Sequence, residues 1–122
     1  MIVALKKWED RTVAIFEELN AAVQSGDADA YLALYSDDAV FVRHQTGAEM
    51  TKSEFDELIR KMMASDKTDM GARRCIYEND DIMVTHSVND YPDGTREAVL
   101  MVCNKKDGKI RRVETGATPL EK

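Results

Sequence analysis

The segment from Gly26 to Val42 (GDADAYLALYSDDAVFV) constrains the fold of this chain more than any other segment. Glycine ends helices readily because it tolerates positive φ, and an aspartate directly after it caps a following helix. The polar triplet SDD then separates a short helical pattern from a run of residues with high strand propensity. The segment therefore predicts that one helix ends at Gly26, a second covers residues 28–35 and a strand covers residues 39–44.

A longer helix is predicted before this segment and a capped helix after it. Apolar residues recur every three or four positions over residues 5–25, as on the buried face of a helix. The sequence TKSE at residues 51–54 has the spacing of a capping box, in which side chains satisfy the free amide groups at a helix start. Met50 and Phe55 flank this box as a hydrophobic staple, and the third helix is expected to end near Ser65.

Everything after residue 67 is expected to form antiparallel strands. The turn sequences between them contain Asn-Asp, Pro-Asp-Gly and Asp-Gly, which tolerate positive φ or, for proline, preset φ. Three helices followed by a meander predict an α+β fold with the helices on one face of the sheet. The predicted strands cover residues 72–78, 81–91, 95–104 and 109–116, and a loose tail follows from Thr118.

Length and charge exclude several classes of protein. A chain of 122 residues is expected to form a single domain, with its core over about residues 5–117. The net charge of −6 argues against nucleic-acid binding, because an acidic surface repels phosphate groups. With no apolar run of membrane-spanning length and no signal-peptide pattern, a cytoplasmic protein without membrane contact is expected. Cys75 and Cys103 fall on strands that are not neighbours, so both are expected to be reduced.

The Pro-Asp-Gly turn sets the register of the two longest strands. A hairpin closed there makes His86 face Leu100 and Asp90 face Arg96. The side of the hairpin that carries His86 is the more apolar one, and we expect it to face the helices. Its members are Ile82, Val84, His86, Val88, Ala98, Leu100 and Val102.

The neighbouring strand and the opposite face follow from the same register. A two-residue turn at Asn79-Asp80 places Arg73, Cys75 and Tyr77 on the face of His86. The second face also carries apolar residues, and a second copy of the protein is the expected cover for it. These residues are Met83, Val99, Met101 and Cys103, which share that face with Thr85 and Ser87.

The order of these elements resembles the nuclear transport factor 2-like superfamily, and within it the SnoaL-like group of small cone-shaped proteins. The resemblance rests on the Gly26–Val42 block, the capped helix and the DGKI turn, and covers about residues 8–117. It implies a curved antiparallel sheet around three helices, a conical cavity between them, and a homodimer through the outer sheet face. Because the superfamily includes isomerases, cyclases, dehydratases, epoxide hydrolases, transport factors and association domains, it fixes no reaction.

Two positions argue against ketosteroid isomerase chemistry. The resemblance places the carboxylate base of that enzyme at Arg43, a fixed cation that accepts no proton. It places the tyrosine donor at Leu19, seven residues before the Gly-Asp pair. Both catalytic groups are therefore missing from this chain.

The predicted catalytic residue is His86, because an imidazole in an apolar pocket can act as a general base or an orienting donor. The alternative is a core histidine with one hydrogen-bond partner. The predicted ligand-binding residues are His44, Tyr77, Tyr35, Arg73 and Asp90.

Each of these has a structural alternative, which for Arg73 is a solvated position at a strand end. His44 can be an exposed residue at a loop edge, Tyr77 a buried phenol bonded to a carbonyl, and Tyr35 a core residue. Asp90 can form a simple cross-strand ion pair with Arg96. The register of the last strand, and with it the orientation of Arg112 and Glu114, stays open.

No metal site and no cofactor are expected. The two histidines lie on separate strands without carboxylates or cysteines at ligand spacing, and no phosphate-cradling glycine motif occurs. The sequence predicts a homodimer that binds a small organic molecule in a partly apolar cavity. It acts either as a cofactor-free acid/base enzyme or as a non-catalytic association or binding module.

Overall fold

The computed structural model describes residues 15–66 and 72–121, which form three helices and one six-stranded sheet. Helix α1 includes residues 15–25, α2 is Ala28–Leu32 and α3 is Lys52–Ala64. The strands are β1 (Tyr35–Arg43), β2 (Glu49–Thr51), β3 (Arg73–Glu78), β4 (Ile82–Asp90), β5 (Arg96–Lys106) and β6 (Lys109–Leu120). The part of the first predicted helix before residue 15 lies outside the described residues.

The junction between α1 and α2 forms as predicted. Gly26 has a φ of 68°, and the Asp27 side chain accepts a hydrogen bond of 3.0 Å from the Ala30 amide. Helix α2 is shorter than predicted, because the Leu34 carbonyl already accepts a hydrogen bond of 2.9 Å from the Ile110 amide. Pairing with the last strand therefore ends the helix early, and β1 begins at Tyr35 instead of residue 39.

Helix α3 begins with the predicted capping box. The Glu54 amide donates to the Thr51 hydroxyl at 3.3 Å, and the Glu54 carboxylate accepts from the Thr51 amide at 3.1 Å. The hydrogen bonds that the Thr51 amide and hydroxyl donate to the Glu54 carboxylate lower the pKa of Glu54. Just before the helix lies the short strand β2, which was not predicted and in which Met50 pairs with Phe41.

The strand order in the sheet is β2-β1-β6-β5-β4-β3. Strands β3 to β6 form the predicted antiparallel meander, whereas β1 pairs in parallel with β6. The predicted register of β4 and β5 is confirmed, since His86 faces Leu100 and Asp90 faces Arg96. The loose tail predicted from Thr118 is wrong, because β6 continues and pairs with β5 as far as Leu120.

The predicted assignment of the two sheet faces is wrong. On β4 the alternate residues Met83, Thr85, Ser87 and Asn89 are at most 5% exposed, so their face lies against the helices. The face that carries His86 points outward. The error arose because three of the four inward residues are polar, so the outer face of the hairpin is the more apolar one.

The core lies between the helices and this inner face. It joins residues of α1 and α2 to Met83, Cys103, Ile110 and Val113 of the sheet. Aromatic rings extend it toward α3: Phe41 and Phe55 stack with ring centroids 3.5 Å apart. Tyr35 and Tyr31 complete this aromatic group, and the Tyr35 hydroxyl donates to that of Tyr31 at 2.9 Å.

A buried ion pair joins β3 to β5. The ammonium of Lys105 lies 2.8 Å from the Glu78 carboxylate, and the two side chains are 2% and 4% exposed. Burial raises the pKa of Glu78 against the opposing effect of the lysine. The pair therefore combines a large desolvation cost with a strong attraction.

Cys75 and Cys103 are free thiols, as predicted, and β4 lies between their strands. Burial raises the pKa of Cys103 to about 12. No helix within the described ranges is long and apolar enough to cross a membrane.

Candidate functional site

A cavity of about 440 Å³ lies between α3 and the inner face of the sheet. This volume is within the range of small-molecule sites in proteins. Much of its wall is apolar and is formed by aromatic, methionine and aliphatic side chains. These are Phe41, Met50, Phe55, Leu58, Ile59, Met62, Val99, Met101, Val113 and Ala117.

A hydrogen-bonded group of polar side chains forms another part of the wall. Asn89 and Glu97 face each other across β4 and β5, and Tyr91 follows at the end of β4. The Asn89 amide donates to the Tyr91 hydroxyl at 3.3 Å. Burial raises the pKa of Tyr91, and so do the charge and the hydrogen bond of Glu97, while the Asn89 hydrogen bond and the Arg43 charge act in the opposite direction. The Tyr91 proton therefore lies toward the Glu97 carboxylate.

Arg73 lines the cavity from the first residue of β3. It lies opposite Ser87 on the inner face, and its charge partly offsets the rise that burial causes in the pKa values of Tyr35 and Cys103. Its Nε atom is buried and has no hydrogen-bond partner within residues 15–66 and 72–121. The same is true of the Asn89 side-chain oxygen.

The predicted catalytic residue lies away from this cavity. His86 is on the outer face opposite Leu100, which is 44% exposed, and accepts a hydrogen bond of 3.4 Å from Arg74 Nε. The inward placement that supported a catalytic role is thus wrong. The role itself stays a prediction without a geometric argument.

Three of the predicted ligand-binding residues also lie outside the cavity wall. His44 Nε2 is 3.2 Å from the Glu114 carboxylate, a hydrogen bond that lowers the pKa of Glu114. Tyr77 is 56% exposed and pairs opposite Val84 on the outer side, after an irregularity in β3. Asp90 accepts a hydrogen bond of 2.8 Å from Arg96.

The other two predicted residues lie near the cavity. Arg73 is part of its wall, although the sequence argument placed it on the face of His86. Tyr35 is buried behind Tyr31, whose side chain reaches the cavity. Whether either residue binds a ligand stays a prediction.

The sequence argument missed Asn89, Tyr91 and Glu97 as candidates. Their signal was the unusual inward alternation of polar residues along β4, which ends at the turn where Asn89 and Glu97 come together. Arg43 was noticed only as a substitution for an isomerase base, and it does line the cavity.

The fold matches that of several solved structures. A nuclear transport factor 2-like protein of unknown function from Burkholderia xenovorans is 19% identical, with a TM-score of 0.75 over 94% of this chain and 88% of that one. An LEH-like epoxide hydrolase from M. tuberculosis is 16% identical, with a TM-score of 0.66 over 88% of this chain and 83% of that one.

A third match carries a ligand. It is a hypothetical protein with a ketosteroid isomerase-like fold from Catenulispora acidiphila in complex with trimethylamine. It is 15% identical, with a TM-score of 0.60 over 85% of each chain. At such identities the likeness shows a shared cone-shaped α+β fold and nothing about the reaction.

The comparison with curated proteins gives no match. The comparison with family models does: the model of the SnoaL-like domain matches residues 16–113. That range includes all three described helices, and it covers the sheet as far as the middle of β6. The chain therefore belongs to the SnoaL-like domain family.

Proposed function

We propose that this protein binds a small organic molecule in the cavity between α3 and the inner face of the sheet. The observation that carries the proposal is the composition of one wall: apolar and aromatic side chains adjoin the hydrogen-bonded group of Asn89, Tyr91 and Glu97. Such a combination buries the apolar part of a ligand and orients its polar part.

The alternative of a non-catalytic association module, with a cavity filled by methionine and tyrosine side chains, has less support. Tyr35 and Tyr31 are hydrogen-bonded to each other within the aromatic group. Met50, Met62 and Met101 line the cavity, which still has a volume of about 440 Å³. A cavity of that volume is not filled by the methionine and tyrosine side chains and leaves room for a ligand.

The experiment is a thermal-shift screen of small organic molecules against the full chain, followed by calorimetric titration of each hit. Ala117→Leu adds three carbon atoms to the cavity wall and is expected to abolish binding of the hits. Ala64→Leu makes the same change at an exposed position in α3 and is expected to leave binding unchanged. Hits that bind equally well to both variants would place the site elsewhere and refute the proposal.

A second candidate function is cofactor-free acid/base catalysis in the same cavity. It is favoured by the Glu97 carboxylate, which accepts a hydrogen bond from the Tyr91 hydroxyl at the cavity wall. A carboxylate in this position can remove a proton from a bound molecule, and the phenol can return one. Once a substrate is found, Glu97→Gln is expected to abolish turnover while binding persists. His86→Ala in the same assay tests the role that the sequence predicts for that histidine.

We further propose that the protein is a homodimer joined through the outer face of the sheet. That face carries the exposed side chain of Leu100 beside a half-buried row that includes Val84, Val88 and Val102. Burying such a surface against a second copy removes it from water. Sedimentation at micromolar concentration is expected to give the dimer mass, and Leu100→Lys to shift it toward the monomer. A wild-type chain that sediments only as a monomer would refute the dimer.

A further inference from the structure

Two polar atoms of the cavity wall are buried without a hydrogen-bond partner among the described residues: Arg73 Nε and Asn89 Oδ1. Asn89 is only 5% exposed. Its amide nitrogen is already engaged by the Tyr91 hydroxyl, whose own proton lies toward Glu97. This chain of donors fixes the orientation of the amide, so the free atom of Asn89 is an acceptor.

Buried polar atoms in folded proteins are nearly always hydrogen-bonded, so two unsatisfied atoms in one cavity wall require an explanation. They differ in kind: Arg73 offers a charged donor and Asn89 a neutral acceptor. A ligand that satisfies both must carry an acceptor and a donor of its own.

The register of the sheet places the two residues close together. Arg73 pairs with Ser87, and Asn89 is the next residue of β4 on the same face. Diagonal neighbours of this kind lie about 7–8 Å apart along adjacent strands. Both side chains are therefore within reach of neighbouring groups on one small molecule.

The charges around the cavity favour an anion. The charged residues among its described lining are Arg43, Arg73 and Glu97. Arg43 and Glu97 have opposite effects on the pKa of Tyr91, so their charges offset each other. The positive charge of Arg73 then has no opposing charge in the described lining. A positively charged cavity in a chain of net charge −6 attracts an anionic ligand.

We infer that the cavity binds a hydroxy carboxylic acid with an apolar tail, its carboxylate accepting from Arg73 Nε and its adjacent hydroxyl donating to Asn89 Oδ1. This inference rests on the proposed function and names its ligand class. The tail then lies against the aromatic and methionine side chains of Phe41, Phe55 and Met101.

The test is calorimetric titration of the full chain with three matched probes. Phenyllactate carries both polar groups, phenylpropanoate lacks the hydroxyl, and phenylpropanediol replaces the carboxylate with a hydroxymethyl group. Phenyllactate is expected to bind about tenfold more tightly than either of the other two, since each loses one hydrogen bond to a buried partner.

Two variants assign the groups. Arg73→Met is expected to remove the advantage of phenyllactate over the diol, and Asn89→Leu its advantage over phenylpropanoate. Because Arg73→Met removes an unsatisfied buried atom, this variant of the free protein is expected to keep or raise its midpoint of thermal unfolding. Asn89→Leu also removes the donor to the Tyr91 hydroxyl, so its test is the order of the three affinities and not the midpoint. A purely structural role for either residue would weaken all three probes equally, and for Arg73 it would also lower the midpoint.

The affinities of the three probes for the wild-type chain test the inference even if a variant does not fold. Equal affinities for the three probes would overturn the inference and leave the proposed function in place. An absence of saturable binding for all three, up to their solubility limits, would overturn the hydroxy acid assignment. If the general screen of small molecules also gives no hit, the proposed function fails with it.

Discussion

Replacing Lys105 with methionine tests how the buried ion pair between β5 and β3 contributes to stability. The ammonium and the Glu78 carboxylate are 2.8 Å apart and almost fully shielded from water. At an effective dielectric constant of about 20, two unit charges at that distance attract by about 6 kcal/mol. The desolvation of both ions offsets much of this attraction in the intact pair.

Removing one partner leaves the other charge buried and unpaired. Lys105→Met is therefore expected to lower the free energy of unfolding by about 3–5 kcal/mol. The double variant Lys105→Met/Glu78→Met removes both charges and keeps similar volumes, so its stability is expected to return to that of the wild type or exceed it. The neighbouring Lys106 is exposed, and Lys106→Met serves as the control, with an expected change within about 0.5 kcal/mol.

The assay is urea denaturation followed by circular dichroism, with the wild type, Lys105→Met, Glu78→Met and the double variant forming a double-mutant cycle. The loss in Lys105→Met is also expected to depend on pH. Burial raises the pKa of Glu78 above 4.5, so the folded protein binds this proton more tightly than the unfolded chain does. Stability therefore falls as the pH rises through that window, and the variant, which lacks the opposing lysine, is expected to regain stability in acid.

The coupling between Lys105 and Glu78 would be refuted if Lys105→Met cost less than about 1 kcal/mol with an unchanged denaturant slope. It would also fail if the double variant lost as much stability as the two single variants together, because the partners would then act independently.

Three further predictions concern the helix cap, the thiols and the outer face. Thr51→Ala is expected to lower the free energy of unfolding in urea by about 1 kcal/mol. Thr51→Ser is expected to lower it much less, since serine keeps the capping hydroxyl. Equal losses in the two variants would show that the hydroxyl does not stabilise the helix. Burial raises the pKa of Cys103 to about 12, so this thiol is expected to stay unreactive toward an aromatic disulfide reagent at mildly alkaline pH until urea unfolds the chain. Rapid labelling of Cys103 in the folded protein would contradict this prediction. In His44→Ala the pKa of Glu114 is expected to rise toward its ordinary value in a carboxyl NMR titration, whereas an unchanged value would show that the hydrogen bond does not form in solution.

Features governed by neighbouring residues were predictable from the sequence. The cap at Asp27, the capping box and the register at the Pro-Asp-Gly turn each depend on a few adjacent side chains and came out as expected. The boundaries of α2 and β1 did not, because a hydrogen bond between Leu34 and Ile110 determines them. Such distant pairing leaves no periodic signal in the local sequence.

Which face of the sheet packs against the helices could not be predicted from the sequence. Ranking the faces by apolar content failed because Thr85, Ser87 and Asn89 point inward. Only Asn89 of these lines the cavity, and polar residues on a buried face break the usual rule that the more apolar face is the buried one. The candidate site was therefore predicted only at Arg73, and for a reason that the structure does not support.

The parallel pairing of β1 with β6 has a consequence for how the chain acquires its fold during synthesis. Tyr35 pairs with Ile110, so β1 and β2 have no neighbour in the main sheet until the last strand has been made. Strands β3, β4 and β5 can pair before β6 is available, because each follows its partner closely along the chain. Completion of the sheet is then the last step of folding, and a chain truncated before residue 109 exposes the unpaired edges of both β1 and β5.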